Sequence, residues 1–300
     1  MKTLRFFLLH GAFALLCFTS SFSLPHAGFR LPDSVSELTM RFQSINNLII
    51  LPVIINDTIH VNLLLDTGCR NLVLFGKKFQ HLFITDPNRK VQFAGLGEGE
   101  PVYGKLSLTN KVSIGAVLGE NIPVVIVPEK NLFRHYRQIH GVIGYDIFTK
   151  FEIELNPRTQ EITFRPAFSA HLSPDFILVP IRIEDSRPIL NSTLMLGKQL
   201  HQCELMIDTG SSLGLLLKTT NISQYASSET RDLGKGLNGI IRGFDAVAEH
   251  LQLDGYAMSL LPAGIIASPW HNYASIGMEV LKDYSIILNY CKTYIGFRKV

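Results

Sequence analysis

The sequence predicts an all-β protein built as two pseudo-symmetric, β-barrel-like lobes with few and short helices. Three observations carry that prediction. The triplet Asp-Thr-Gly occurs twice, at Asp66-Thr67-Gly68 and Asp208-Thr209-Gly210, each time at the end of an apolar run and at an offset of 142. A second pair of segments, GYDIFTKFEIELNPRTQEITF from Gly144 and GMEVLKDYSIILNYCKTYIGF from Gly277, aligns without a gap at an offset of 133. Apolar stretches broken by Asn, Asp and Gly dominate both halves, which is how short strands and their turns are written.

Taken in order, residues 1–27 open with Lys2 and Arg5, continue with an apolar stretch from Phe6 to Phe18, and reach small residues suited to a cut after Ser23 or Ala27. That is the pattern of an export signal peptide, so the expected location is the periplasm or cell envelope, or outside the cell. The stretch falls short of the roughly 20 residues of a membrane span, which makes an uncleaved N-terminal anchor the lesser alternative. A lipid on Cys17 is weaker still, because Leu16 stands where a small residue is needed.

A first lobe is expected over 28–170 and a second over 171–300, with the proline-bearing segment 165–180 between them. In the first, LIILPVIINDTIHVNLLLDTG offers two strands joined at an Asn-Asp turn, followed by Gly-rich AGLGEGEPVYG and the strand NIPVVIVP. In the second, STLMLGKQLHQCELMIDTG offers two strands joined near Gly197-Lys198, followed by Gly-rich GKGLNGIIRG and the weaker strand MSLLPAGIIA.

Composition narrows the function. With 46% hydrophobic and 18% charged residues the chain has ample material for a core. Lys plus Arg exceed Asp plus Glu by three, but Lys2 and Arg5 account for most of that excess. A near-neutral body without a basic block carries no footprint for nucleic acid. Beyond Cys17, the three cysteines Cys69, Cys203 and Cys291 have no CxxC spacing, so neither a disulfide framework nor a zinc knuckle is expected. His135 and His140 lack the intervening Glu of a zinc-protease helix and read as solvated surface residues. No metal and no cofactor are expected.

A lone carboxylate at the end of an apolar strand needs a partner, because burying it unpaired costs several kcal/mol. A single Asp-Thr-Gly could be an ordinary turn. Two at matching points of a duplication are not explained that way. A twofold relating the halves would bring Asp66 and Asp208 face to face, as in an isologous dimer fused into one chain. Two such carboxylates share one proton and titrate as a unit.

These residues resemble those of the aspartic proteases, with pepsin-like two-lobed connectivity and lobes short enough to look like the retropepsin type. Each triplet follows two apolar residues, Leu64-Leu65 and Met206-Ile207. The later Val142-Ile143-Gly144 and Ser275-Ile276-Gly277 match a second family element, and the resemblance spans roughly 45–300. It implies an aspartic endopeptidase with Asp66 and Asp208 as the catalytic pair and Thr67 and Thr209 reaching across the lobe interface. Gly68, Gly210 and Ser211 would support the dyad, the hydroxyl of Ser211 by bonding the adjacent carboxylate. Gly-rich hairpins containing Gly97, Gly99, Gly236 and Gly239 would close over a peptide or protein substrate. The chain would work as a monomer, an intramolecular pseudo-dimer. Cys69 departs from the serine of the second turn, and Tyr103 is the tyrosine nearest the expected flap.

Two motifs point elsewhere and are set aside. GSSLG at 210–214 matches a hydrolase elbow, but an apolar run follows in place of a helix. GKGLNG at 234–239 matches a nucleotide-binding pattern, but no strand precedes it. The remaining alternative is a protein of the same fold that binds peptides and cuts them weakly or not at all.

Overall fold

Strand Leu48–Ile55 folds back on Ile59–Leu65 through Asn56 and Asp57, both in the left-handed region at φ 50° and 63°. Asn and Asp tolerate that conformation best among residues with side chains. In the second half Arg187–Leu196 folds back on Gln199–Asp208 through Gly197 and Lys198, at φ 58° and 65°. Both turns fall where the sequence predicts them. The computed structural model describes residues 27–300 apart from 94, 98, 129–132, 134, 135, 137, 170–173, 222–228 and 268–272. The expected signal peptide, Cys17 and His135 therefore lie outside the described residues, as does the expected boundary between lobes at 170.

Each half closes into a six-stranded barrel with the same strand order. In the first half Leu48–Ile55 is followed by Ile59–Leu65, Gly141–Ile143, Leu72–Phe75, Val117–Val127 and Val102–Ile114, which returns to Leu48–Ile55. In the second half Arg187–Leu196 is followed by Gln199–Asp208, Tyr273–Gly277, Leu215–Thr219, Tyr256–Ala267 and Gly239–Leu253, which returns to Arg187–Leu196. In both, one short strand lies parallel to the strand before Asp-Thr-Gly and antiparallel to the strand after it. Leu72–Phe75 and Gly141–Ile143 are buried on both faces. That explains why these strands read as unbroken apolar runs.

A third sheet joins the halves. Its antiparallel order is Ile177–Pro180, Tyr294–Lys299, Tyr284–Asn289, Phe151–Asn156, Glu161–Pro166 and Leu38–Arg41, three strands from each half. The two central strands pair Leu155 with Ile286 and Glu152 with Asn289. The second sequence repeat supplies the inner four strands and the two four-residue helices that precede them, Tyr145–Phe148 and Met278–Leu281. At its centre Glu152 is fully buried. It accepts hydrogen bonds from Asn289 Nδ2 at 3.2 Å and from the Tyr294 hydroxyl, with Arg165 Nη1 at 3.9 Å. Arg165 also binds Glu154 at 2.9 Å and Glu37 at 2.8 Å, tying two strands and the N-terminal segment together. Among the described residues no helix is long and apolar enough to cross a membrane.

Candidate active site

The strand Ile59–Leu65 ends one residue before Asp66, and Gln199–Asp208 ends on Asp208. Each turn is held from below by the second repeat. The Asp66 N–H donates to Ile143 O at 2.9 Å and the Tyr145 N–H to Cys69 O at 2.9 Å, while the Met278 N–H donates to Ser211 O at 2.8 Å. Gly144 permits this closeness: a Cβ there would lie 2.1 Å from Cys69 O and 2.3 Å from Asp66 O.

Across the interface the two turns bind each other through their threonines. Thr67 Oγ1 donates to Ile207 O at 2.6 Å and accepts from the Thr209 N–H at 3.0 Å. Thr209 Oγ1 donates to Leu65 O at 2.8 Å and accepts from the Thr67 N–H at 3.1 Å. Both threonines are fully buried. The Thr67 and Thr209 N–H groups and the Leu65 and Ile207 carbonyls are thereby satisfied by a side chain of the other half.

This lattice brings the carboxyls together. Gly68 N–H donates to Asp66 Oδ1 at 2.7 Å, and Gly210 N–H to Asp208 Oδ1 at 3.1 Å. A Cβ on Gly68 would lie 3.1 Å from Asp66 Oδ1 and 3.8 Å from Asp208 Oδ1, so both carboxyls converge on one glycine. A Cβ on Gly210 would sit 2.5 Å from Asp66 Oδ1, so glycine there makes room for the opposite carboxyl. Both aspartates keep part of their surface open to solvent.

Burial pushes Asp66 from the ordinary 3.8 to about 6, against the Gly68 N–H, the Arg187 charge and the Cys69 N–H, which act downward. Burial, then the charge of Asp66, push Asp208 to about 7, while the Gly210 N–H, Lys218 and Arg187 act downward. Such a pair titrates as a unit and holds its last proton to higher pH than an ordinary aspartate does.

The two Gly-rich hairpins meet each other. The hairpin between Lys90–Phe93 and Val102–Ile114 and the hairpin between Arg231–Gly236 and Gly239–Leu253 touch at their tips, where the Asn238 N–H donates to Leu96 O at 3.0 Å. A Cβ on Gly99 would lie 2.0 Å from Asn238 O, one on Gly97 2.5 Å from Gly239 N, and one on Gly236 2.1 Å from Leu96 O. Leu96 reaches into an apolar cluster of the other half that includes Leu213, three residues beyond Gly210.

Several expectations change. The Ser211 hydroxyl accepts from the Leu213 N–H at 3.2 Å and makes no bond to Asp208 among the described residues, because the turn folds its backbone toward it. The Cys69 thiol likewise bonds along its own turn, to Asn71 O at 3.1 Å. Burial and the Asp66 charge push that thiol far above its ordinary range, which disfavours the thiolate. Tyr103 is 52% exposed on its strand. His140 is no solvated surface residue: it is half-buried, and its Nδ1 accepts from the Asn62 N–H at 3.0 Å. Ser212 precedes the strand Leu215–Thr219 and no helix, so the elbow reading falls. Cys69, Cys203 and Cys291 are free thiols. Among the described residues no group of three or more His, Cys, Asp or Glu could hold a metal.

Three residues near the carboxyls escaped the sequence reading. Arg187 and Lys218 act on the pair by charge, and the Tyr290 hydroxyl is buried without a partner among the described residues, under the influence of both aspartates. Arg187 lies 21 residues before Asp208, and no short motif links them. A family model described as aspartyl protease matches residues 51–147, covering the first Asp-Thr-Gly turn, the first Gly-rich hairpin and the start of the Tyr145–Phe148 helix. No curated protein matches the sequence.

Proposed function

We propose that this chain is an aspartic endopeptidase whose catalytic pair is Asp66 and Asp208, a reading supported by the match of residues 51–147 to the aspartyl protease family model. The single observation that carries this reading is the reciprocal threonine lattice, which holds together two strand-end turns whose carboxyls both keep part of their surface open to solvent. In the singly protonated pair, the ionised carboxylate takes a proton from a water lying between the two. The protonated carboxyl donates a hydrogen bond to the carbonyl oxygen of the scissile peptide as the water attacks. The resulting tetrahedral species keeps its oxygens within reach of both carboxyls, and proton return to the amide nitrogen releases the amine. Thr67 and Thr209 hold the geometry, and the two hairpins cover the substrate. One chain suffices, and the N-terminal leader takes it out of the cytoplasm before it acts.

The test is turnover of a diverse peptide library by the leader-free protein. Cleavage should be blocked by a peptide mimic carrying a hydroxyl in place of the attacked carbonyl, and left largely intact by serine-directed reagents and chelators. Cleavage that EDTA abolishes and zinc restores would overturn the mechanism. Absence of any cleavage would favour a binding protein of the same fold.

A further inference from the structure

The two halves of the floor are not equivalent beside the carboxyls. In the second barrel Ile189 pairs with Met206. Carrying that register to the ends of both strands sets Arg187, the first residue of its strand, level with Asp208, the last of its own. In the first barrel Ile50 pairs with Leu64, and the same two steps set Leu48 level with Asp66. Residues level in an antiparallel pair share a face and lie about 5 Å apart at Cβ. One half thus offers a buried leucine at this place and the other an arginine. Arg187 is only 25% exposed, and its Nη1 binds Asp185 Oδ2 at 3.0 Å, which fixes the guanidinium at the root of the turn. Its charge is felt by Asp66, Asp208, Cys69 and Lys218. Of the other charged groups nearby, Glu184 is level with it on the neighbouring strand Arg182–Glu184, and Asp146, on the Tyr145–Phe148 helix, also acts on Cys69 by charge, in the opposite direction to Arg187. Glu184 is committed to Arg182 and the Tyr273 hydroxyl.

We propose that Arg187 is a positioning residue of the dyad, a fixed positive charge supplied by one half alone that stabilises the single negative charge shared by Asp66 and Asp208. The proposal rests on the protease reading above. A cation beside the pair favours each ionised form, so it moves both limbs of the pH profile to lower pH; removing it moves both upward.

The experiment compares wild type, Arg187→Leu, which copies the other half, Arg187→Lys and Asp185→Asn. The readouts are the pH profile of kcat/KM and the 13C titration of the Asp66 and Asp208 carboxyls. Arg187→Leu is expected to displace both limbs upward by about half to one pH unit, a loss of about 3- to 10-fold on the acid side, with little change at the optimum. Arg187→Lys should stay near wild type, and Asp185→Asn, which unmasks the charge, should move the limbs downward. Coincident profiles for Arg187→Leu and wild type, or an equal displacement by Arg187→Lys, would overturn the proposal. If Arg187→Leu does not fold, an Asp185→Asn profile that does not move overturns it. A wild-type protein that cleaves nothing would defeat the protease reading alone, because the carboxyl titration still reports whether Arg187→Leu moves the pair.

Discussion

Threonine follows each aspartate because its position makes two demands at once. The side chain must fill the buried space between the turns and present a hydroxyl that both donates and accepts across it. Thr209→Ser keeps the hydroxyl and should retain most activity. Thr209→Val keeps the shape but leaves the Leu65 carbonyl and the Thr67 N–H without partners, so it should lose about 1–3 kcal/mol of stability and most turnover. Thermal melts and kcat/KM of the two variants check this, with the same order expected at Thr67. The carboxyls make a second prediction. Their folded-state values stand above the ordinary 3.8, so the native state binds more protons than the unfolded chain between about pH 4 and pH 7. The stability this contributes is complete below that window and is lost as pH rises through it. Melting temperatures of wild type should therefore fall from pH 4 to 7 relative to Asp66→Asn with Asp208→Asn, measured in parallel. The aspartates and threonines were legible in the sequence because the triplet is repeated. Arg187 was not, because strand register creates its closeness to Asp208.

Hairpins and their turns were legible wherever Asn, Asp or Gly sits between apolar runs, and the second repeat announced the inner strands of the joining sheet. The place of Leu38–Arg41 at that sheet's edge was not, since nothing local distinguishes an edge partner. Nor was the meeting of the two Gly-rich hairpins: each reads as a flexible turn alone, and only folding shows that their glycines leave room for each other. Gly99→Ala would drive a methyl into Asn238 O. It should cost kcat/KM about tenfold to a hundredfold through misplaced hairpins while the melting temperature changes little. The opposite balance is expected for Glu152→Ala in the joining sheet. Loss of the buried carboxylate leaves the Tyr294 hydroxyl without its acceptor and takes one acceptor from Asn289 Nδ2, and should cost about 1–3 kcal/mol on denaturant unfolding.

The molecule as a whole is two copies of one barrel that need each other, since the hydroxyls of Thr67 and Thr209 find their hydrogen-bond partners in the opposite half. Both halves lie in one chain, so activity per mole should not fall on dilution, unlike that of a single-lobe enzyme that must dimerise. Specific activity measured from micromolar to picomolar concentration tests this. Duplication also frees the halves to diverge, as Leu48 and Arg187 have done. The central claim is that one carboxyl from each half forms a single catalytic unit, and the most direct measurement is peptide turnover by Asp66→Asn and by Asp208→Asn, each alongside its melting temperature. If the two aspartates act as a unit, each substitution alone abolishes turnover, while stability holds or rises because like-charge repulsion is relieved. Substantial turnover by either folded variant would contradict it.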